Sequence, residues 1–314
     1  MVPRRVARIS REPIWDAALL SRRNFITGLA GLAAGGIGLA SYAFGIEPIW
    51  RLRVTNYRIR PAGWPENQRL KIAVVADVHA CEPYMPRARV EEIVARTNSL
   101  GADVIVLLGD FTAGHRFTTR PVAMSEWALA LGGLKAPLGV HAILGNHDWW
   151  EDRVAQRSRR GPIAARRALE AAGLPVYEND VVRLGSGAGA FWLAGLGDQL
   201  AFPLGNRRFQ GVDDLSGTLA KVTDAAPVIL LAHEPDIFTR VPARVALTLS
   251  GHTHGGQVRV FGYSPVVPSG FGNRFAYGHI VEGGRDLIVS GGLGCSILPI
   301  RFGVPPEIVL VEIA

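Results

Sequence analysis

Apolar runs of strand length recur at Leu70 to Ala76, Val104 to Leu108, Val140 to Leu144, Phe191 to Leu196, Val228 to Ala232, Val245 to Leu249, Leu287 to Ser290 and Ile308 to Ile313. Runs this short, closed by polar or glycine-containing tips, predict buried strands. Between the early ones, helical periodicity at Arg87 to Leu100, Val122 to Leu134 and Pro162 to Ala172 makes the first half read as βαβ units. In the later half the spacings shorten and glycine becomes frequent, which predicts sheet with few helices. No repeat, heptad or low-complexity tract interrupts the body.

A different pattern precedes it. Six Arg lie before position 24, and the 21 residues from Phe25 to Gly45 then carry no acidic or basic side chain. At about 1.5 Å per residue such a stretch reaches roughly 30 Å as a helix, enough for one bilayer crossing, although Gly28, Gly31, Gly35, Gly36, Gly38 and Gly45 dilute its hydrophobicity. The junction Ser21, Arg22, Arg23, Asn24, Phe25, Ile26 resembles the twin-arginine export signal, a motif read by a receptor. That resemblance implies the twin-arginine export machinery as a partner and an exported, folded chain. With arginines held on the cytoplasmic side, the bulk of the chain faces outward, in the periplasm or cell envelope. Ser41-x-Ala43 is a small-residue cleavage pattern, and the segment is also long enough to stay as a membrane anchor; both outcomes are open. Residues 1–45 therefore read as signal or anchor, 46–69 as a connector with a leading strand at Arg51 to Arg60, and 70–314 as the main domain.

Composition narrows the class. A chain of 314 residues, 48% apolar and 19% charged, with 37 Gly, 20 Pro and 2 Cys, is neither disordered, collagen-like nor a disulfide miniprotein. Its net charge of +7 comes from the first 70 residues, which hold 11 Arg against 4 acids; residues 71–314 hold 23 basic and 23 acidic groups. A domain without its own basic surplus lacks the electrostatic footprint of a nucleic-acid binder, so no nucleic-acid partner is expected.

The chemistry sits at the predicted strand ends. The first strand runs into Asp77 and His79, the second into Asp110, the third into Gly145, Asn146, His147 and Asp148, and later strands into His233 and into Gly251, His252, Thr253, His254. Carboxyl ends of strands in an open α/β sheet share one edge, so these five tips are expected to converge. Carboxylates mixed with imidazoles suit Mn, Fe, Zn or Ni better than Mg or Ca. One bridging carboxylate would divide the seven donors Asp77, His79, Asp110, Asn146, His233, His252 and His254 into two sets. Two such ions can activate water and hold the attacking and leaving oxygens of a phosphoryl group.

The ordered series Asp-x-His, Gly-Asp, Gly-Asn-His-Asp, His, Gly-His-x-His over residues 70–256 resembles the calcineurin-like metallophosphoesterase superfamily. Gly251 to Gly256 and the tail from Gly292 to Glu307 resemble its bacterial exported or membrane-anchored phosphodiesterase branch. The resemblance implies an α/β fold of two mixed sheets packed face to face and flanked by helices. It implies two divalent ions, the first held by Asp77, His79 and His254, the second by Asn146, His233 and His252, with Asp110 bridging. It implies His147 as the acid that protonates the leaving group, and a phosphoester, most plainly a phosphodiester, as substrate. A pyrophosphatase of lipid- or nucleotide-linked diphosphates and a non-catalytic scaffold are the alternatives. Relatives often carry an Asp or Asn three residues after Gly-Asp to orient that histidine; here the position is Ala113.

Other notable residues read more plainly. His115, His141 and His279 are expected as hydrogen-bonded structural histidines, the arginines between Arg153 and Arg167 as a solvated face, and Cys81 and Cys295 as free thiols. Arg301 is expected to serve structure rather than substrate. Trp149 and Trp150 fit either an apolar wall beside the centre or ordinary core packing.

Overall fold

The computed structural model describes residues 22–115 and 117–314; the leading part of the export signal read above, residues 1–21, lies outside them. Arg22–Ser41 forms a helix, and the helical run Arg22–Trp50 is the one among the described residues that is long and apolar enough to cross a membrane. From Tyr42 onward the chain is a separate compact unit.

That unit holds two large mixed sheets. The first orders its strands Arg53–Ile59, Glu307–Ile313, Leu70–Val75, Val104–Leu107 and Val140–Ala142. Its last strand in sequence lies between the first two, parallel to Arg53–Ile59 with Tyr57 opposite Val311, and antiparallel to Leu70–Val75 with Val309 opposite Val74. The second orders Gly278–Glu282, Arg285–Val289, Val245–Ser250, Val228–Leu231, Phe191–Gly195 and Asp180–Leu184, antiparallel only at its two edges.

Two-residue alternation explains the layering. Ile72, Val74, Val104 and Val106 point from the first sheet into a shared core with Leu193, Ile229, Leu231, Leu247 and Ile288 of the second. Ala73, Val75, Ile105 and Leu107 face the other way, against Val90, Ile93, Trp127, Leu131 and Leu169 of the helices Arg87–Asn98, Met124–Leu131 and Ala164–Ala171. The outer face of the second sheet packs Leu230, Leu287 and Val289 on Ile237, Phe238 and Phe275. All eight predicted runs are strands, with ends shifted by a residue or two, and the three predicted helices form, each shorter than predicted. Two edge strands, Asp180–Leu184 and Gly278–Glu282, were not predicted, because edges exposed to water carry no continuous apolar run.

Candidate metal centre

The tips converge from both sheets rather than along the edge of one. Asp77, Asp110 and Asn146 follow strands of the first sheet, and His233 and His252 follow strands of the second. At these tips Asp77 (φ 54°), His79 (46°), Asp110 (56°), His252 (68°) and His254 (52°) all adopt left-handed backbone. Each such residue costs on the order of 1–3 kcal/mol, so strain is concentrated where the polar side chains must turn inward.

Hydrogen bonds hold that strain in place. The buried Asp148 carboxylate accepts from the backbone N–H groups of Asp110 (2.9 Å), Phe111 (2.9 Å), Thr112 (3.2 Å) and Gly145 (3.0 Å), tying the second tip to the third. His252 N donates to Asp77 Oδ1 at 2.9 Å, joining the two sheets. Gly145 has no room for a side chain: a Cβ would run into the His233 ring and the Asp110 carboxylate.

The seven predicted donors meet. Asp77, His79 and His254 present one group of converging ligand atoms, and Asp110, His233 and His252 a second. Asp110 Oδ2 lies between them, 3.5 Å from His79 Nε2 and 3.2 Å from His233 Nε2. Asn146 Oδ1 lies 2.8 Å from His252 Nδ1. Outward hydrogen bonds fix the rings: His79 Nδ1 faces Thr112 O at 2.9 Å, His233 Nδ1 faces Leu108 O at 2.6 Å, and His252 Nε2 faces Pro268 O at 2.9 Å. With the His252 proton on Nε2, its Nδ1 lone pair points at the Asn146 oxygen, two electron-rich atoms in contact with no proton between them. Asp77 Oδ2 and His233 Nε2 are buried without a hydrogen-bond partner. Facing lone pairs, orphaned donors and a carboxylate–imidazole mixture are the conditions a transition-metal cation satisfies, so the residues fit two such ions.

The electrostatics agree. Burial holds His79 neutral, with its pKa lowered to about 3, and also lowers His252 and His254. Burial raises the Asp77 carboxyl to about 7, helped by Asp110. Asp110 is pushed up by burial, but the imidazoles of His233, His147 and His79 outweigh it and hold it well below the usual range. Burial would also keep His233 neutral; Asp110, Glu234 and Asp77 overcome it and raise it well above its ordinary value. In the metal-free chain, the cationic charge at the centre thus sits on His233, beside the carboxylate that both groups share.

His147 stands at the edge of this cluster. Its Nε2 is 3.2 Å from Ser296 Oγ, its Nδ1 is buried with no hydrogen-bond partner, and its ring packs edge-on against His79 and Trp150, each at 5.0 Å. Among the described residues no carboxylate or amide side chain bonds its ring; it seats on Gly114, where a methyl group would overlap the imidazole. The two tryptophans divide the alternatives. Trp149 is core, packed on Phe202, whereas Trp150 stacks on the half-exposed Phe209 and lines the His147 side.

Arg301 has a larger part than the sequence suggested. Fully buried, it donates to Gly294 O and Val304 O and places Nη2 3.2 Å from His254 Nδ1. Its Nε2 lies 3.1 Å from His79 Nε2, so the guanidinium holds the ring whose other nitrogen faces the first ligand group. The remaining residues lie apart. His115, His141 and His279 are bonded within their own surroundings, Cys81 and Cys295 are free and buried, and Arg166 pairs with Glu170 on the surface. Asp198 was missed: it is buried beside Glu234, and burial with that neighbour raises it well above the ordinary carboxyl range.

Known proteins are similar to this chain. A family model described as calcineurin-like phosphoesterase matches residues 70–256. The chain is 32% identical over 301 residues to an uncharacterized metallophosphoesterase, YkuE, of Bacillus subtilis (strain 168), covering 92% of this chain and 96% of that one. It is 31% identical over 262 residues to an uncharacterized metallophosphoesterase of Aquifex aeolicus (strain VF5), covering 83% and 92%. A Bos taurus transmembrane protein with metallophosphoesterase domain is 30% identical over 254 residues, 78% of this chain and 53% of the relative.

Proposed function

The chain belongs to the calcineurin-like phosphoesterase family, which implies metal-dependent phosphoester hydrolysis, and on that premise we propose a phosphodiesterase with a dinuclear centre, exported to the outer side of the cytoplasmic membrane. Asp77, His79 and His254 would hold one ion and Asn146, His233 and His252 the other, with Asp110 shared. Bound there, the ions supply charge neutralisation for the phosphoryl oxygens and lower the pKa of water. The observation that carries the reading is Asp110 Oδ2, set within 3.5 Å of an imidazole from each group.

The residues around that pair define the rest of the chemistry. Asp110 Oδ1 accepts from His147 N at 2.8 Å, so the carboxylate that faces both groups also fixes the backbone of the acid. His147 Nε2 offers a proton to a leaving oxygen, which an alkoxide requires. Arg301 is the only Arg or Lys among the described residues that hydrogen-bonds a residue of the centre, and its guanidinium is taken up by carbonyls and His254. The arginine pair, the membrane-length helix and a relative named as a transmembrane protein support the outward location.

Asp110→Asn tests the assignment. Metal content by elemental analysis should drop and diester turnover should fall by about 100-fold or more while the circular dichroism spectrum is kept. Two retained ions with near-normal turnover would overturn it.

A further inference from the structure

The path from the membrane-length helix to the metal centre is one residue long. The compact unit begins at Tyr42, whose ring packs edge-on against Phe302 at 6.2 Å, and Ala43 O accepts from Arg301 N at 2.9 Å. Arg301 turns its guanidinium inward to His254. Its backbone thus meets the segment where the helix leads in, and its side chain meets the centre.

The surface beside this junction is apolar. Gln257 Nε2 donates to Leu298 O (2.8 Å) and Ile300 O (3.0 Å), and Arg259 N donates to Phe302 O (2.8 Å), lacing residues 257–263 to residues 296–302. These laced loops expose Phe261 (104%), Tyr263 (62%) and Ile297 (72%), and Trp50 (76%) ends the helical run. Single exposed apolar residues are ordinary; several large ones on two joined loops form a patch that marks a binding surface. The same loop reaches the reaction centre, since Ser296, next to Ile297, touches His147.

We propose that this patch sits in the headgroup layer of the bilayer crossed by Arg22–Ser41, and that the centre takes phosphodiesters of membrane lipids presented at that surface; the substrate half rests on the phosphodiesterase reading above. Chain connectivity identifies the occupant. A helix that leaves a bilayer after Ser41 fixes Tyr42 at the interface, and Phe302 with its laced loops is held beside Tyr42. Aromatic residues at that level are the usual interfacial anchors. Ala43 is buried and its carbonyl is bonded, so in the folded chain the Ser41-x-Ala43 bond is closed to a peptidase and the helix stays attached. The scissile phosphate of a lipid diester lies at headgroup depth, where a centre joined to the interface meets it without extracting the lipid.

The test uses the full chain, loaded with Mn²⁺ and reconstituted in phosphatidylethanolamine–phosphatidylglycerol vesicles. Phe261→Cys labelled with a polarity-sensitive dye reads depth, Cys81 and Cys295 being buried, and Leu129→Cys on the Met124–Leu131 helix is the control. Brominated lipid should quench the Phe261 probe and spare the Leu129 probe. Phe261→Asp with Ile297→Asp should lose about tenfold or more on vesicle lipid and keep bis(p-nitrophenyl) phosphate hydrolysis within about twofold. Equal losses on both substrates, an unquenched Phe261 probe, or a wild type that cleaves the soluble diester but no vesicle lipid would each overturn the proposal. A metal-loaded wild type that cleaves neither substrate while the probe is quenched overturns the phosphodiesterase reading and leaves the docking surface standing.

Discussion

Gly114 and His147 show how much of this centre depends on shape. Because a methyl group at Gly114 would overlap the imidazole, Gly114→Ala should displace the acid without touching a metal donor. If His147 donates a proton, both Gly114→Ala and His147→Ala should lose about 100-fold on alkyl diesters and little on nitrophenyl diesters, whose leaving group needs no acid. Equal losses on both substrates in metal-replete protein would instead make His147 a substrate-binding residue. The convergence of the seven residues was legible in sequence because each sits in a short motif at a strand end. Residues acting through others were not: Arg301 reaches His254 only once residues 294–304 fold back over the tip. Asp148 stands in a legible run, yet its four backbone partners come from segments 36 to 38 residues and three residues away.

At the level of elements, the strand-end loops are held by few anchors. Asp148→Ala leaves several buried N–H groups unpaired, and at about 1–3 kcal/mol for each such group the thermal midpoint should fall by many degrees in the metal-free protein. A midpoint within a degree or two of wild type would mean that water replaces the carboxylate. The leading helix carries a separate expectation. Arg22→Lys with Arg23→Lys keeps the charge but removes the arginine pair, so fractionation should find the chain retained in the cytoplasm; wild-type export would exclude a receptor-read signal. Element type was legible wherever an apolar run was continuous. It was not at Asp180–Leu184, where Val181 and Val182 are half-buried between exposed neighbours, nor at Gly278–Glu282, where His279 pairs with Asp286 across the strands.

For the whole molecule, folding and metal uptake are linked through protons. Asp77, raised to about 7, keeps a proton that the unfolded chain has lost between about pH 4 and 7, so its contribution to metal-free stability falls as pH rises through that window. His79, lowered to about 3, acts oppositely: the unfolded chain takes up a proton below about pH 6.5 that the native state refuses, so stability rises with pH there. If Asp77 and His233 ligate metal as proposed, binding must expel their protons. Calorimetry in buffers of different ionisation enthalpy should find more protons released at pH 6 than at pH 8, where Asp77 is already ionised. A release that does not change with pH would contradict this. The two-sheet architecture was legible only through the family resemblance; periodicity alone could not show that Glu307–Ile313 inserts between Arg53–Ile59 and Leu70–Val75. That insertion sets a schedule. At about 5–20 residues per second of synthesis, Leu70–Val75 waits on the order of ten seconds or more for the strand that completes its pairing. Leu293 N on Ala76 O, Gly294 N on Asp77 O and Glu307 N on Gly292 O come with that final stretch, so the Asp77 tip is locked last. A growing chain therefore displays every donor long before it owns a cage, and the moment of metal capture is timed by the arrival of its final strand.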